Sequence, residues 1–289
     1  MGARLLAAIA LASIAAGCGQ GASAAPVGPA AVTVTVTKDY GATRIASGRE
    51  APGQSALNAL RRLTHVGTSY GGRFVESING LSGDRSAAED WLYFVNGISP
   101  DVGAADVQLH AGDHEWWDRR YWRDLLQTPV AVGDWPEPFV HGYDGHRHPV
   151  VVRGLPCSNT LASALQHAGA TVVRDASPYQ VTIETFRSVG DTLADWQGKG
   201  LTVSLQGGKV MAYRGKAGMV PVPGAHALIA GYQPPGPPGA AVDVVIAGDT
   251  GGSACGAANR LAQDPGLVAD SYAVALDADG HVIARGGRG

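Results

Sequence analysis

The chain is poor in charged residues, which make up 16% of its 289 residues, and no long run of either sign occurs. Its 22 basic and 25 acidic side chains leave a net charge of −3. A surface that binds nucleic-acid phosphates needs clustered Lys and Arg, so nucleic acid is not expected as a partner. A hydrophobic content of 45% excludes a disordered, solvating chain.

Long hydrophobic runs are absent after the first residues, so no membrane span is predicted in the body of the chain. Residues 5–16 are apolar, follow Arg4 and are too short to cross a bilayer core of about 30 Å. They predict a secretory signal peptide at 1–17 and therefore an exported protein.

The signal peptide ends in Ile-Ala-Ala-Gly-Cys at 14–18, which resembles the bacterial lipobox, although Ala15 stands where that motif usually has Leu. The resemblance implies that Cys18 is lipidated and anchors the chain to the outer face of the bacterial cell membrane. Residues 18–31 are small and uncharged, as in a flexible tether. The alternative is an ordinary signal peptide cleaved near Ala-Ser-Ala-Ala at 22–25.

Cysteine is scarce, with three residues in the whole chain. If Cys18 carries lipid, Cys157 and Cys255 form an even pair in an oxidising compartment, and we predict a disulfide between them. Two buried free thiols are the alternative. Neither cysteine belongs to a C-x-x-C motif, so a zinc site is not favoured.

Glycine (41) and proline (17) are abundant, which favours sheets and turns over long helical bundles. Val and Thr alternate at 32–37, as in a strand, and Ser55 precedes helical spacing from Ala56 to Leu63. The predicted fold class is α+β. A small β-grasp-like sheet with one helix at 32–125 is followed by a second α+β or α/β domain at 149–289.

The first of these domains carries a recurring set of short motifs. They are Ser-Ile-Asn-Gly at 77–80, Trp-Leu-Tyr-Phe-Val-Asn-Gly at 91–97, Gly-Ala-Ala at 103–105 and Ala-Gly-Asp at 111–113. This pattern resembles the C-terminal domain of transcobalamin and intrinsic factor and its bacterial DUF4430-type relatives. In the animal carriers that domain closes over cobalamin against a helical barrel. The resemblance implies cobalamin or another corrinoid as a ligand, although no helical barrel precedes the domain here.

Five of the six tryptophans fall between 91 and 135. Trp116 and Trp117 are adjacent in a predicted strand and must point to opposite faces, so at least one is available to a ligand or to the second domain. The candidate ligand-binding residues are Trp91, Tyr93, Asn96, Gly97, Trp116 and Trp117.

Two further motifs lie in the second part of the chain. Residues 126–148 are predicted to be a solvated linker. The alternative is that His141, His146 and His148 within it are metal ligands.

The Gly-Asp-Thr-Gly-Gly-Ser run at 248–253 lies between an apolar strand and a predicted helix. It is interpreted as a structural turn, with an anion-binding loop as the alternative. It superficially resembles protease motifs, but Thr250 replaces the serine nucleophile and no second Asp-Thr-Gly copy occurs.

No nucleophile, base and acid converge in the sequence, so the chain is not predicted to be an enzyme. It is expected to be a membrane-anchored lipoprotein that binds a small ligand, with a corrinoid as the specific candidate, handed to an uptake transporter. The alternative is a surface protein-binding or structural module without a small-molecule ligand. No cofactor or metal site is assigned.

Overall fold

The computed structural model describes residues 31–123, 130–197 and 199–287. The predicted signal peptide, Cys18 and the predicted tether up to residue 30 lie outside these ranges. Among the described residues, no helix is both long and apolar enough to cross a membrane.

The first half of the chain folds around a small sheet. Its elements are β1 (Val32–Lys38), β2 (Thr43–Glu50), α1 (Ala56–Leu63), β3 (Val66–Ser69), β4 (Phe74–Ile78), β5 (Leu81–Ser82), β6 (Glu89–Val95) and β7 (His114–Tyr121). Four strands form a sheet in the order β2-β1-β7-β6, with β1 and β7 parallel at its centre. The strands β3, β4 and β5 form a separate three-stranded sheet.

Helix α1 covers one face of the four-stranded sheet. It begins where predicted, with the Ser55 hydroxyl accepting a hydrogen bond from the Asn58 N–H, which satisfies a backbone donor that the first helical turn leaves unpaired. Its apolar residues Leu57 and Leu60 pack with the valines of β1 and with Trp117. This sheet with one helix agrees with the predicted β-grasp-like arrangement.

The alternation of Val and Thr in β1 gives the two faces of the sheet different partners. Val32, Val34 and Val36 are fully buried in the core under α1. Thr35 and Thr37 point to the other face and are also buried, at 3% and 0% exposure. An alternating strand usually leaves its polar face in water. Here the second half of the chain covers that face.

The second half is built on a larger sheet. Its strands are β8 (Val150–Gly154), β9 (Val172–Val173), β10 (Tyr179–Thr185), β11 (Val203–Gln206), β12 (Lys209–Tyr213), β13 (Met219–Pro221), β14 (Ala227–Tyr232), β15 (Val242–Gly248), β16 (Ala273–Leu276) and β17 (Val282–Arg285). Its helices are α2 (Ser158–Ala168), α3 (Phe186–Gln197) and α4 (Gly251–Gln263). The α+β fold class predicted for the chain is confirmed.

Seven of these strands form one mixed sheet in the order β17-β16-β14-β15-β10-β8-β9. The strands β9, β8, β10 and β15 run parallel, and β14, β16 and β17 extend the sheet antiparallel. Helices α2 and α4 pack on one face. Helix α3 and the small sheet β11-β12-β13 cover the other. Strands buried on both faces become nearly continuous apolar runs, as in β15, where Val244–Gly248 are all buried and only Asp243 is charged.

A disulfide joins the two helices on the first of these faces. Cys157 is the N-cap of α2 and Cys255 lies in α4, with their Cα atoms 5.5 Å apart. The bond therefore ties together the helices that follow β8 and β15.

The segment predicted to be a solvated linker is packed instead, wherever the structure describes it. Within residues 130–148, the side chains of Val132, Trp135, Phe139 and Val140 are buried and belong to the core of the second half. The prediction of solvation was wrong because it weighed the prolines and glycines of the segment and overlooked its spaced apolar residues. The domain boundaries at 125 and 149 stay predictions.

A buried carboxylate on β7 joins the two halves. Asp118 accepts hydrogen bonds from the Thr37 hydroxyl at 2.7 Å and the Gly41 N–H at 3.0 Å, and its other oxygen accepts from the Tyr272 hydroxyl at 3.0 Å. Thr37 and Gly41 belong to the first half, whereas Tyr272 directly precedes β16 of the second. Burial raises the pKa of Asp118 to about 6, against the opposing effect of these hydrogen bonds and of Arg120.

Aromatic rings enclose this carboxylate. Tyr272 packs against Trp116 and Phe94, with ring centroids 4.8 and 5.5 Å apart. The Arg120 guanidinium, also buried, lies 5.2 Å from the Tyr40 ring centroid and 5.1 Å from that of Tyr272. Stacked cation–π contacts suit a buried arginine because the ring faces replace part of its hydration.

A second buried carboxylate, Glu115, lies on the opposite face of β7, in the core under α1. One oxygen accepts a hydrogen bond from the Trp117 indole, and the other, Oε2, has no partner. Burial raises the pKa of Glu115 well above its ordinary value. A carboxyl whose folded-state pKa is raised contributes stability at low pH and loses it as the pH rises above the unfolded-state pKa, near 4.3.

We therefore expect Glu115→Gln to match the wild type in stability near pH 4 and to exceed it by about 1–3 kcal/mol at pH 8. The amide keeps the acceptor for Trp117 and removes the charge. Urea unfolding at both pH values, followed by tryptophan fluorescence, measures this difference. Glu76→Gln, at an exposed position, is the matched control and should show no such pH dependence. An equal effect of Glu115→Gln at both pH values would contradict the assignment.

Candidate functional site

The aromatic residues predicted to face a ligand are divided between the two faces of the first-half sheet. Trp91 and Trp117 lie under α1, at 5% and 2% exposure. The Trp91 indole donates to the Leu81 carbonyl, and Tyr93 stacks on Trp117 with ring centroids 4.8 Å apart. Trp116 points to the opposite face, as the adjacency of the two tryptophans predicted, and its 1% exposure reflects its contact with Tyr272 of the second half.

The Asn96-Gly97 turn has the positive φ angles that its sequence predicts, +53° and +77°. A side chain at Gly97 is excluded, since its Cβ would lie 2.5 Å from the Ala131 carbonyl oxygen. The Asn96 amide donates to the Asp113 carboxylate at 2.8 Å and to the Gly142 carbonyl at 2.7 Å. The turn is thus bound by residues 131–142 of the same chain.

Asp134 completes this contact. Its Oδ2 accepts a hydrogen bond from the Gly97 N–H at 2.6 Å, and its Oδ1 lies 2.9 Å from His114 Nδ1. Burial opposes protonation of His114, but the Asp134 carboxylate outweighs it and raises the imidazole pKa. The six residues predicted to bind a ligand are all engaged within the chain. Their assignment to a ligand stays a prediction.

An open cleft with a volume of 760 Å³ lies in the second half. Helix α3, the turn between β11 and β12, and Asp249 form its walls. Helix α3 begins at the carboxyl end of β10, and Asp249 follows the carboxyl end of β15. In open sheets with parallel strands, ligands bind outside these carboxyl ends because the loops and helix N-termini converge there.

Helix α3 presents both charged and small residues to the cleft. Arg187 and Asp191 are one helical turn apart and line it together with Gly190 and Ala194. The small side chains leave a recess along the helix. Both charged residues are exposed and form no ion pair with another described residue, so both are available to a ligand.

The opposite wall is the turn Gln206-Gly207-Gly208 between β11 and β12. Both glycines have positive φ angles, +55° and +75°, and nothing lies within 4 Å of where their Cβ atoms would be. Their bare backbone therefore lines the cleft, and a ligand can approach its peptide groups closely.

Asp249 is held in place from two sides. Its Oδ2 lies 2.6 Å from His226 Nδ1, and its Oδ1 accepts a hydrogen bond from the Ser253 hydroxyl at 2.6 Å. Partial burial opposes ionisation, but the contacts of Ser253 and His226 outweigh it and lower the pKa of Asp249. The carboxylate is therefore ionised at neutral pH and retains lone pairs for a ligand donor.

The 248–253 run forms the connection between β15 and α4. Thr250 is the N-cap of α4 and accepts a hydrogen bond from the Ser253 N–H at 3.1 Å. Ser253 and His226 both contact the carboxylate of Asp249 instead of each other. A nucleophile–base pair requires a direct hydrogen bond between the two side chains, which this arrangement does not provide.

The three histidines of the predicted linker are not brought together. His141 Nδ1 lies 2.6 Å from Glu137 Oε1, a contact that raises its pKa. His148 packs against Tyr179 with ring centroids 4.8 Å apart, and His146 is exposed. The group with metal-ligand spacing in the described ranges is instead Asp277, Asp279 and His281, an exposed turn before β17.

Comparison with known proteins locates one family within the first half. Residues 53–119 match a family described as a domain of unknown function, DUF4430, which is about a quarter of this chain. No curated protein matches the sequence. The match supports the predicted DUF4430-type character of this half, whereas the transcobalamin resemblance stays a prediction.

A solved structure from Ruminococcus gnavus, described as a "putative metal binding protein", also resembles this chain. Sequence identity is 17%, with 32% of this chain and 96% of that chain covered, and the TM-score is 0.27. At this level of similarity we carry neither fold nor ligand over to this protein.

Sequence reasoning missed most residues of the cleft. Helix α3 was not predicted, because it follows β10 without a loop and contains Val189, Gly190 and Thr192, all weak helix formers. The available signal was Gly-Asp-Thr-Gly-Gly-Ser after an apolar strand, which correctly marked a strand end. The other residues that line the cleft lie more than 40 positions before Asp249 in the chain. No local sequence pattern points to them.

Proposed function

We propose that this protein binds a small polar ligand in the cleft bounded by α3, the Gly207-Gly208 turn and Asp249. The supporting observation is the position of this 760 Å³ cleft at the carboxyl ends of β10 and β15. Ligand sites are typically concave, of a few hundred to about 1,000 Å³, with a few convergent polar groups. Arg187, Asp191 and Asp249 are such groups.

The charges of the cleft indicate the chemistry of the ligand. Asp249 and Asp191 favour hydroxyl or ammonium donors, whereas Arg187 favours a carboxylate or another acceptor. An anion at the N-terminus of α4 is disfavoured, because the Asp249 carboxylate already lies there. The ligand is therefore a zwitterion or a polyhydroxy compound.

In the full chain, glycine, lysine and glucose serve as zwitterionic, cationic and polyhydroxy probes. Saturable binding of at least one probe should shift the amide resonances of Gly207 and Gly208 in nuclear magnetic resonance spectra. Asp249→Asn and Arg187→Gln should each weaken that binding about tenfold, as expected when a charge-assisted hydrogen bond is lost.

The control is Arg174→Gln, at an exposed position outside the cleft, which should bind like the wild type. If no probe shifts these resonances up to 10 mM, roughly the weak limit for a specific small ligand, the cleft assignment is wrong. The alternative of a surface protein-binding or structural module would then be favoured.

We also propose that the protein is exported and anchored to the outer face of the bacterial cell membrane through lipid on Cys18. The support is the apolar segment at 5–16 and the small residues before Cys18. The disulfide between Cys157 and Cys255 is the kind of bond that persists outside the reducing cytosol.

Replacing Cys18 with Ala should abolish incorporation of labelled palmitate and release the protein from the membrane fraction, because the lipid attachment atom is lost. Globomycin should block processing of the wild type only. Cys157→Ala, which retains Cys18, is the control and should still be labelled. Soluble secretion of the unlabelled wild type would instead support an ordinary signal peptide.

A corrinoid is the second candidate ligand, passed on to an uptake transporter. It rests on the resemblance of the strand Trp91–Val95 and the Asn96-Gly97 turn to the transcobalamin domain. Because these groups contact other parts of this chain, a corrin would have to use the exposed rim of the first half or separate it from residues 131–142. Weaker binding than in a carrier that encloses the ligand is therefore expected.

Titration with hydroxocobalamin and cobinamide, followed by tryptophan quenching and corrin absorbance, tests this second candidate. A saturable response at micromolar protein concentration is expected, because broad apolar corrin faces fringed by amides suit aromatic and backbone groups. Absence of a response in folded protein would eliminate the corrinoid and leave the Asp249 cleft unaffected.

A further inference from the structure

A separate recess of 380 Å³ lies at the rim of the first half, within the DUF4430 match and away from the Asp249 cleft. Its walls come from the Tyr70 turn, from β4 and from the region between β5 and β6. The lining side chains that carry chemistry are Tyr70, Phe74, Glu76, Arg85 and Asp90. The inference drawn from it is independent of the proposed function.

Tyr70 is the most exposed large hydrophobic residue in the described part of the chain, at 73%. Its φ angle is +50°, and Gly71 and Gly72 follow at +71° and +93°. An aromatic residue in this left-handed region is strained. The turn holds the ring out of the core and at the edge of the recess.

Two carboxylates line the same recess, and the Arg85 guanidinium attracts both of them electrostatically. Glu76 on β4 and Asp90 on β6 form no ion pair with any described residue, and Asp90 Oδ1 accepts a hydrogen bond from the Trp91 N–H at 3.0 Å. Gly83 lies against this carboxylate, since a Cβ at Gly83 would be 2.7 Å from Asp90 Oδ1. Asp90 is half-buried, and burial raises its pKa against the opposing effect of the Trp91 N–H, Arg85 and Arg119.

Arg85 is the one cationic group lining the recess, and its exposed guanidinium contacts the Tyr70 hydroxyl. Arg119, which donates to the Ser82 carbonyl beside the recess, forms an ion pair with Glu89. The two lining carboxylates against the one lining guanidinium therefore leave the recess net negative. An anion attracted by Arg85 would meet both carboxylates. A metal ion finds poor ligands in the rings of Tyr70 and Phe74, whereas an ammonium group is stabilised by ring faces and by carboxylates together.

We infer that this recess binds a small organic cation, whose ammonium group lies between the carboxylates of Glu76 and Asp90 and against the rings of Tyr70 and Phe74. The volume suits a ligand of a few heavy atoms with one charged end. Arg85 remains at the rim, where it meets any anionic or hydroxyl group at the other end of the ligand.

Isothermal titration of the full chain with choline and ethanolamine, a quaternary and a primary ammonium probe, tests this inference. At least one should bind saturably at or below about 1 mM, a weak but specific affinity. Tyr70→Ala and Asp90→Asn should each weaken binding about tenfold, through loss of the cation–π contact and of the charge. Tyr70→Phe keeps the ring face and should bind nearly as well as the wild type.

The matched control is Ile283→Ala, which removes another exposed hydrophobic side chain, in the second half, and should not change binding. Acetate and Ca²⁺ are titrated in parallel, and binding of either in place of the ammonium probes would overturn the inference. It is equally overturned if neither ammonium probe binds, or if binding persists unchanged in both Tyr70→Ala and Asp90→Asn. Because Tyr70 is a surface residue, its variants keep the test valid should Asp90→Asn fail to fold.

Discussion

The structure depends on the buried carboxylate of Asp118, which connects both halves through hydrogen bonds. It receives hydrogen bonds from Thr37 and Gly41 in the first half and from Tyr272 in the second. A buried carboxylate is tolerated only when its oxygens are satisfied. Removing any one donor would therefore affect both the turn after β1 and the docking of the second half. Arg120, between the rings of Tyr40 and Tyr272, lowers the electrostatic cost of this arrangement.

This junction explains why the aromatic strand of the first half is not an open binding surface. The second half covers the Thr35 and Trp116 face of the sheet, and α1 covers the Trp117 face. The Asn96-Gly97 turn is bound by residues 131–142 of the same chain. The groups predicted to face a ligand therefore contact other parts of the same chain. The polar concavities proposed as binding sites therefore lie at the rim of the first half and in the second half.

The two concavities proposed as binding sites differ in how they are built. The Asp249 cleft lies at the carboxyl ends of parallel strands, where a carboxylate fixed by His226 and Ser253 lines the same cleft as Arg187. The rim recess combines the carboxylates of Glu76 and Asp90 with the exposed ring of Tyr70. Fixed, ionised groups line one concavity and an aromatic ring lines the other, so the two proposed sites differ in the ligand chemistry that they would favour.

Local patterns in the sequence determined the elements that depend on near neighbours. The Val–Thr alternation predicted β1, Ser55 marked the start of α1, Asn96-Gly97 predicted its turn, and cysteine scarcity predicted the pair Cys157 and Cys255. Only the tertiary structure decided that the threonine face is buried, that residues 130–148 are packed, and that α3 meets Asp249 to form a cleft. The physical reason is the sequence separation of the residues that make these contacts. Periodicity and capping report contacts within a few residues, whereas these features depend on distant groups such as Asp118 and Tyr272, which are 154 positions apart.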